Sequence, residues 1–416
     1  MFYTNKKERN TIMSMSTIFE QRLFPYLHRI IKQHQSPIRI YDASGFKESS
    51  RQLETLFSTH QRFEGFCTLG LLPTRDIIPI LRDSGFGFEC STSDELQTLQ
   101  KFKVSPEKIL FTSNNPTQEE LGQIIDSRCI LNIDDITWLQ KPIIRKKIPR
   151  TICFRIQVDK SSSSRRFGLT HEQLIPAFHQ AQKLGANKFG ISTCNLETYR
   201  DPSTTRRTII RLLEVVSYIH QHTGIQIEFL HDGSNIGTPQ YPDEPVYPID
   251  LLCKHTSNDL KLADSDNDVS PDIYLDVTDF VLQNNACIIM RATNRKNVGI
   301  AHIGLEGTIP IIKKSKVVEY EYPHITVLDC MGRPVCARTY EPVHFIESNS
   351  SIDLIQTVLP RIHVNHEHPE LSDLVVAHNC GTLLQHKNQS NILCLFLKDK
   401  GVVEKSLNVN NEMGFV

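Results

Sequence analysis

Short apolar segments alternate with longer amphipathic ones from about residue 37 onward, and this rhythm limits the possible folds more than any other feature. Segments such as "IRIYD", "GFCTLGL" and "KILFTS" predict strands, while "SSRQLETLFSTH" and "STSDELQTLQKF" between them predict helices. Strands that alternate with helices form parallel sheets with helical crossovers. About seven or eight such units are present, which favours a closed (β/α)8 barrel over an open sheet.

The pattern changes near residue 299, where helical segments give way to β-rich ones such as "HITVLD" and "NILCLFL". We therefore expect an α/β chain: a (β/α)8 barrel over residues 36–298 and a mostly β domain from residues 16–35 and 299–416. Residues 1–15 read as a flexible tail. The polar run "NDLKLADSDNDVSPD" at 258–272 predicts a connector without regular structure.

Charge and composition exclude several classes of function. The net charge is -1 over 416 residues, so no overall field attracts nucleic acid. No run of 18 apolar residues occurs, so no membrane contact is expected. The 11 cysteines form no CxxC pair, which predicts buried thiols in a reducing, cytoplasmic compartment. The run "HVNHEHPE" at 363–370 lacks the spacing of a helical zinc site, so no metal is expected.

Several motifs, taken in order, carry a family resemblance. "SPIRIYD", "GFGFECSTSDEL", "PEKILFTSNNPTQEEL", "LNIDDITWL", "RRFGL" and "DLVVAHNCGT" follow one another between residues 36 and 405. This series resembles the fold type III pyridoxal-phosphate decarboxylases, which include diaminopimelate, ornithine and arginine decarboxylases. The resemblance implies a barrel followed by a β domain, a pyridoxal-phosphate (PLP) cofactor and dimers whose active sites are built from both subunits.

The resemblance also implies a lysine that binds the cofactor as a Schiff base, at the end of the second strand of the pattern. The matching segment here is "FCTLGL", which places Leu69 or Gly70 at the lysine position. Neither side chain can form an imine. No other lysine can be aligned with this position, because residues 48–100 contain none.

The phosphate loop of the family contains three successive glycines, whose N–H groups approach the phosphate closely. The matching stretch, "HDGSNIGTP", keeps Gly233 and Gly237 but has Ser234 and Asn235 between them. The resemblance therefore implies a degenerate phosphate loop.

The Glu-Pro-Gly-Arg segment of the family, which adds a second phosphate contact, is matched to residues 291–294, "RATN". All four residue types differ. Arg295 or Arg291 is the remaining candidate for a positive charge at this place.

Other family positions have changed as well. The ring-stacking histidine is matched by Cys194, and the terminal tyrosine by Leu383. Cys336 keeps the cysteine of a Cys-x-x-x-Asp motif, with Tyr340 in place of the aspartate. Cys336 and Cys194 are the remaining catalytic candidates, and a small buried strand residue is the simpler interpretation of Cys336.

Positions that shape the backbone are kept. Gly85, Gly87, Glu95 and Asp134 stand at predicted strand ends and helix starts, where a turn or a cap would require them. The frame is thus retained while the chemistry of the cofactor is lost, which is the pattern of a pseudoenzyme.

Three hypotheses follow. The first is a pseudoenzyme without cofactor that acts as a regulatory or binding subunit, as a homodimer or as a heterodimer with an active paralogue. The second is an enzyme of altered, PLP-independent chemistry on an amino acid or a polyamine. Its candidate ligand-binding residues are Cys194, Glu89, Arg166, His231 and Asp232, with Glu89 and Asp232 as acid and base. The third is a working PLP decarboxylase that takes its lysine from another strand, such as Lys188.

Overall fold

The structure is a computed structural model of the 416-residue chain. It describes residues 17–60, 62–72, 74–158, 167–193, 198–199, 201–239, 244–267, 270–298, 300–307, 312–313, 320–321, 324–333, 343–346, 373–378, 380, 392–398 and 403–405. Helix α1 (Thr17–Gln33) and strand β1 (Ile38–Asp42) come first in these residues, before the barrel begins.

Eight parallel strands close into the predicted barrel, because the last of them pairs with both its predecessor and the first. They are β2 (Phe63–Thr68), β3 (Gly87–Cys90), β4 (Ile109–Thr112), β5 (Ile130–Ile133), β6 (Thr151–Ile156), β7 (Lys188–Thr193), β9 (Phe229–Ile236) and β10 (Asp272–Asp276). The short strand β8 (Thr198–Tyr199) pairs with the end of β9.

Helices connect the strands and cover the outside of the barrel. They are α2 (Ala43–Thr59), α3 (Ile78–Asp83), α4 (Ser93–Lys101), α5 (Gln118–Ser127), α6 (Pro142–Lys146), α7 (His171–Leu184), α8 (Pro202–Thr223), α9 (Ile249–Asn267) and α10 (Thr278–Leu282). Local signals explain their ends. Thr117 and Glu120 form a capping box that starts α5, and Gly185 ends α7 in the left-handed conformation.

Helix α9 corrects the connector predicted at 258–272. The helix continues through Asn267, because Leu252, Cys253, Thr256 and Leu260 form a buried stripe against the barrel. Three polar residues of that run, Asn258, Lys261 and Asp264, are exposed on the same helix. Polarity alone therefore misplaced the boundary, while the spacing of the few apolar residues contained the helical signal.

Among the described residues, nine further strands follow the barrel, and seven of them build a mostly antiparallel second sheet together with β1. The nine strands are β11 (Ala286–Val298), β12 (Ile300–Leu305), β13 (Ile312–Lys313), β14 (Tyr320–Glu321), β15 (Ile325–Leu328), β16 (Val343–Ile346), β17 (Leu374–Ala377), β18 (Leu393–Leu397) and β19 (Val403–Lys405). The sheet order is β15-β17-β11-β1-β18-β19, with β12 and β16 continuing from β11. Strands β13 and β14 form a separate ladder.

Two strands within the range predicted for the barrel, residues 36–298, belong to the second sheet. Strands β1 and β11, which the sequence assigned to the barrel, pair with each other and lie at the centre of the second sheet. Strand β1 also pairs in parallel with β18 near the end of the chain. Both strands are short apolar runs beside helices, so their partners could not be identified from local pattern.

The barrel and the second sheet each contain buried apolar clusters. One large cluster lies between the barrel strands and the surrounding helices, and a smaller one fills the barrel interior. Helix α1 packs Phe19, Leu23 and Leu27 against the second sheet. Among the described residues, no helix has both the length and the hydropathy that crossing a bilayer requires.

Candidate functional site

The interior of the barrel is built in layers, because successive residues of a strand point to opposite faces. Phe66, Leu110, Ile130, Cys153 and Phe229 form an apolar middle layer, with Tyr274 packed against it. The inward positions two residues further along lie at the carboxyl ends of the strands, where barrel enzymes place their active sites. We call them the upper layer: Thr68, Glu89, Thr112, Asn132, Arg155, Ser192, His231 and Asp276.

Every member of the upper layer is polar, and direct hydrogen bonds connect most of one side. Asn132 donates from Nδ2 to Thr112 Oγ1 at 3.0 Å, and Ser192 donates from Oγ to Asn132 Oδ1 at 3.0 Å. These three side chains are almost completely buried. Buried polar groups are retained at low cost only when they are paired, so this side of the layer is fixed in one arrangement.

The opposite side of the upper layer is acidic. Asp276 accepts hydrogen bonds from Thr68 Oγ1 at 2.7 Å and from Thr278 Oγ1 at 2.5 Å. Burial raises the pKa of Asp276, the hydrogen bonds from Thr278 and Thr68 lower it, and the negative charge of Glu89 raises it further. Two carboxylates, those of Glu89 and Asp276, therefore lie on the same side of the upper layer.

A third carboxylate, Glu95, borders the same region from the first turn of α4. It accepts the backbone N–H of Ser91 at 2.7 Å, which satisfies a donor at the start of the helix. Burial raises the pKa of Glu95, backbone hydrogen bonds lower it, and the charge of Glu89 adds to the rise. Glu95 was predicted as a residue of the frame, and its position as a cap agrees with that role.

The two candidates for the lysine position lie in different surroundings. A short 3-10 turn, Leu69–Leu71, follows β2. The Leu69 side chain is buried in the apolar cluster between barrel and helices. Gly70 instead faces Glu95, because a Cβ at this position would lie 3.2 Å from Glu95 Oε1. Of the two, Gly70 is therefore the position beside the acidic side of the barrel mouth.

The predicted phosphate loop is largely strand in the structure. Gly233 has a positive φ of 60°, yet β9 continues through Ile236, and Asn235 pairs with Asp276 of β10. The Asn235 Oδ1 atom accepts the backbone N–H of Asp279 at 3.1 Å. The side chain of Ser234 lies outside the described residues, and Gly237 follows the end of the strand.

The turn after the eighth barrel strand is also satisfied internally. Thr278 N–H donates to Asp276 Oδ1 at 2.9 Å, and Thr68 N–H donates to Thr278 Oγ1 at 2.8 Å. Phosphate sites in barrels are often formed by the loops after the seventh and eighth strands. Here three backbone donors of that region are used by oxygen atoms of Asp276, Thr278 and Asn235.

Arg291 and Arg295 were expected beside the phosphate loop, in place of the Glu-Pro-Gly-Arg segment. The structure puts both on β11 of the second sheet, where Arg295 Nε donates to Asn297 Oδ1 at 3.3 Å. The eighth barrel strand ends at Asp276, so residues 276–279, "DVTD", stand at the end of that strand instead. The sequence pattern did not identify this segment, because its only distinguishing feature is a polar residue, Asp276, at the end of an apolar strand.

Lys188, proposed as a substitute for the missing lysine, lies at the wrong end of the barrel. It begins β7, and its Nζ atom is 2.9 Å from Glu228 Oε2. In the described part of the chain, no lysine lies within five residues after the end of a barrel strand. Lys160, after β6, falls outside the described residues.

Arg155 is the one permanent cation of the upper layer, and it is already paired. Its Nη1 atom lies 3.1 Å from Asp134 Oδ1 and 3.1 Å from Asn114 Oδ1, and its guanidinium lies over the Phe167 ring. Asp134 also accepts the N–H of Gly168 at 3.0 Å. These contacts fix the chain on both sides of residues 159–166.

His231 and Asp232 point to opposite faces of β9. His231 is 1% exposed inside the barrel, with its ring 5.8 Å from that of Phe66. Burial raises the pKa of Tyr247, its hydrogen bond to Thr205 of α8 lowers it, and the negative charge of Asp232 raises it further. The suggested acid-base pair of Glu89 and Asp232 is therefore divided between the inside and the outside of the barrel.

Several predicted site residues lie outside the described residues: Cys194, Cys336, Arg166, Tyr340 and Leu383. The histidine-rich run at 363–370 lies there too. Sequence reasoning missed Thr68, Thr278 and Asp276, which the fold brings together from the first and last barrel strands. Their only sequence signal is a polar residue at the end of each strand.

Comparison with known proteins identifies the family. Residues 48–262 match "Pyridoxal-dependent decarboxylase, pyridoxal binding domain", which is more than half of the chain, so the chain belongs to this family. Protein TabA of Pseudomonas amygdali pv. tabaci is 22% identical over 378 residues, covering 89% of this chain and 86% of its own. Diaminopimelate decarboxylase of Methanothermobacter thermautotrophicus is 23% identical over 231 residues, covering 52% of this chain and 54% of its own.

Solved structures agree on the fold. Diaminopimelate decarboxylase from M. jannaschii, in co-complex with L-lysine, superimposes with a TM-score of 0.73 at 15% identity and covers 91% of each chain. The arginine decarboxylase of Paramecium bursaria Chlorella virus, bound to agmatine, gives a TM-score of 0.67 at 15% identity, over 86% of this chain and 94% of its own. These likenesses confirm the barrel with its β domain.

Proposed function

We propose that this protein is a member of the decarboxylase family that has lost pyridoxal chemistry and acts as a binding or regulatory subunit. The observation that carries the proposal is Gly70 beside Glu95 at the barrel mouth, at the place where the family pattern requires a lysine. Without an amine there, the cofactor aldehyde has no partner for a Schiff base.

The surroundings of the phosphate loop support the same conclusion. An anion binds where backbone N–H groups are unsatisfied and the local charge is positive. Around the turn after β10, N–H groups of Thr68, Thr278 and Asp279 already donate to oxygen atoms of the protein. The Asp276 and Asp279 carboxylates add negative charge, so these residues do not fit a phosphate group.

Absorbance spectroscopy with excess PLP tests the proposal. The purified protein is expected to show no cofactor band after gel filtration and no covalent adduct by mass spectrometry after borohydride reduction. An active family decarboxylase treated in parallel serves as the positive control. A yellow protein with a reducible imine at one lysine would refute the proposal.

Gly70→Lys extends this test to the phosphate loop. We expect no imine in this variant, because Asn235 and Asp276 still occupy the backbone donors near the loop. Leu69→Lys is the matched control, since its side chain faces the helices. An imine in Gly70→Lys alone would show that the loop still accepts phosphate and that only the lysine has been lost.

We further propose that the protein assembles as a dimer in the cytoplasm, either with itself or with an active paralogue that it regulates. The support is the resemblance to decarboxylases whose active sites are built by two subunits. Co-expression with the paralogue, followed by affinity purification and sedimentation analysis, tests the partner. The proposal fails if the protein remains monomeric at micromolar concentration and does not bind the paralogue.

A second candidate function is altered, cofactor-independent chemistry on an amino acid or a polyamine. The observation that favours it is Glu89, which stands in the upper layer near Asp276, where a proton could be transferred to a ligand. Incubation with lysine, ornithine, arginine or diaminopimelate, followed by mass analysis of the products, tests this function. Glu89→Gln should abolish any turnover that is found.

A further inference from the structure

A cavity lies at the amino end of the barrel strands, away from the upper layer. Its volume is about 200 Å³, and it is bordered by the last turns of α2, the start of β2 and the turn that precedes β3. The active sites of such barrels lie at the opposite, carboxyl end of the strands. The cavity is therefore separate from the candidate site described above.

Local backbone geometry explains why this space is open. Helix α3 ends where Gly85 adopts a left-handed conformation with a φ of 82°, and Phe86 N–H then donates to Leu81 O at 3.1 Å. A Cβ on Gly85 would meet no atom within 4 Å, whereas a Cβ on Gly65 of β2 would lie 2.5 Å from the Phe86 ring. Gly65 thus lets the Phe86 ring pack against β2, and Gly85 leaves open space beside it.

Aromatic side chains form much of the wall of the cavity. Phe57, Phe63 and Phe86 line it, and all three are buried. The rings of Phe57 and Phe63 are stacked, with their centres 6.4 Å apart and their planes inclined by 17°. Aromatic faces attract cations, and a planar cation can stack on them. The wall is therefore suited to a cation with a flat or apolar body.

The charged groups that line the cavity are acidic. Among the described residues that line it, Glu54 and Glu64 carry charge and none is a lysine, arginine or histidine. Glu64 is paired with Lys108 at 2.6 Å, whereas the carboxylate of Glu54 takes part in no hydrogen bond or ion pair within the described part of the chain. The last turn of α2 contains no basic residue, so the negative end of its dipole is not balanced there. The electrostatic complement of the cavity is a cation.

The arginines nearest to these segments in sequence are used elsewhere. Arg82, in the last turn of α3, donates from Nε to Asp83 Oδ1 at 2.8 Å and from Nη1 to Phe102 O. Arg62, just before β2, donates from Nη1 to Ser270 O. The cation that complements the cavity therefore has to come from a ligand.

We propose that this cavity binds a small molecule that carries a guanidinium group, with the guanidinium paired to Glu54 and its planar face against the phenylalanine side chains. A guanidinium forms two parallel hydrogen bonds with a carboxylate, and it is more weakly hydrated than an ammonium ion, so it packs on an aromatic wall at lower cost. The inference goes beyond the proposed function and does not depend on it, because the cavity lies at the other end of the barrel.

Saturation-transfer NMR on the full chain with 1-propylguanidine tests the inference. Propylurea has nearly the same shape but no charge, and propylamine has a compact ammonium group in place of the planar one. We expect saturable binding of propylguanidine, weaker binding of propylamine and no measurable binding of propylurea. If propylguanidine does not bind, or if either of the other two binds equally well, the inference is wrong.

Variants locate the site. Glu54→Gln should weaken propylguanidine binding about tenfold, because a charge-assisted hydrogen bond is lost; Glu214→Gln, at an exposed position of α8, is the matched control. Ser58→Trp should abolish binding, because Ser58 lines the cavity at an exposed position of α2 and the larger side chain covers the opening. Thr59→Trp, at the next exposed position, should leave the affinity unchanged.

Two results would overturn the inference even if propylguanidine binds. Full affinity in a folded Ser58→Trp protein would place the ligand outside the cavity. A loss of affinity in Glu89→Gln but not in Glu54→Gln would place it at the barrel mouth. Both results leave the proposed loss of pyridoxal chemistry standing, because borohydride reduction tests that proposal separately.

Discussion

Two glycines in the barrel interior show how single residues decide the packing of the middle layer. A Cβ on Gly87 would lie 2.4 Å from the Phe66 ring, and one on Gly190 would lie 2.2 Å from the Phe229 ring. The missing side chains leave room for aromatic rings of neighbouring strands. Gly87 was predicted as a residue of the frame, and the structure gives the physical reason.

Gly190→Ala is expected to lower the free energy of unfolding by about 1–3 kcal/mol, because the added methyl overpacks a closed interior. Phe229 is stacked on Tyr274 and cannot move away freely. Gly122→Ala is the control: its Cβ would meet only the flexible end of Ile143 on the outside, 3.3 Å away. Urea denaturation measures both. Equal stability of the two variants would contradict the packing argument.

At the scale of elements, the ends of the barrel strands position the polar side chains of the upper layer, and amphipathic helices pack around the strands. Helix α1 shows how a helix can carry a titrating group at its edge. Glu20, next to the buried Phe19, has its pKa raised to about 7 by partial burial. The folded state therefore binds a proton near neutral pH that the unfolded chain has already released.

This shift makes part of the stability dependent on pH. Because the pKa in the folded state is above the unfolded value of 4.5, the contribution is fully present below pH 4.5 and is lost as the pH rises through about 7. Glu20→Gln removes the titration, so its stability relative to wild type should increase between pH 5 and pH 8. The increase should be on the order of 1 kcal/mol, discounted for partial exposure.

Urea denaturation at several pH values measures the difference. Glu54→Gln, on the exposed face of α2, is the control and should give a constant difference from wild type. A constant difference for Glu20→Gln as well would show that Glu20 is not shifted.

At the scale of the whole molecule, the first strand of the chain joins the second sheet, and the following helix belongs to the barrel. Asp42 stands at this junction, with no exposed surface, at the end of β1 and the start of α2. Arg22 of α1 donates to Asp42 Oδ2 at 2.7 Å and to Glu48 Oε2 at 3.2 Å. One ion-pair network therefore connects α1, β1 and α2.

Arg22→Met should destabilise the protein by about 3–5 kcal/mol, because it leaves the buried Asp42 carboxylate without its cation. Burial raises the pKa of Asp42 and the Arg22 hydrogen bond lowers it, so the carboxylate depends on this partner. Lys32→Met, on the exposed end of the same helix, should change stability by less than about 0.5 kcal/mol. Thermal unfolding of both variants checks the difference, and similar melting temperatures would contradict this role of Arg22.

Much of the fold could be predicted from sequence because βα periodicity is a local property. The pattern around Phe63–Thr68 and Gly87–Cys90 predicted neighbouring parallel strands, and the structure confirms the barrel. The absence of lysine between residues 48 and 100 is likewise a property of the sequence alone. These predictions needed no knowledge of which distant segments meet.

Only the tertiary structure decided what depends on distant contacts. Strand β1 pairs with β11 and β18, more than 200 residues away, so its place in the second sheet could not be derived locally. The same holds for Thr68 and Asp276, which the closure of the barrel brings to 2.7 Å. The sequence by itself determined that the barrel forms and that residues 48–100 contain no lysine; the closure of the barrel decided that carboxylates and a buried histidine lie in one layer at its mouth.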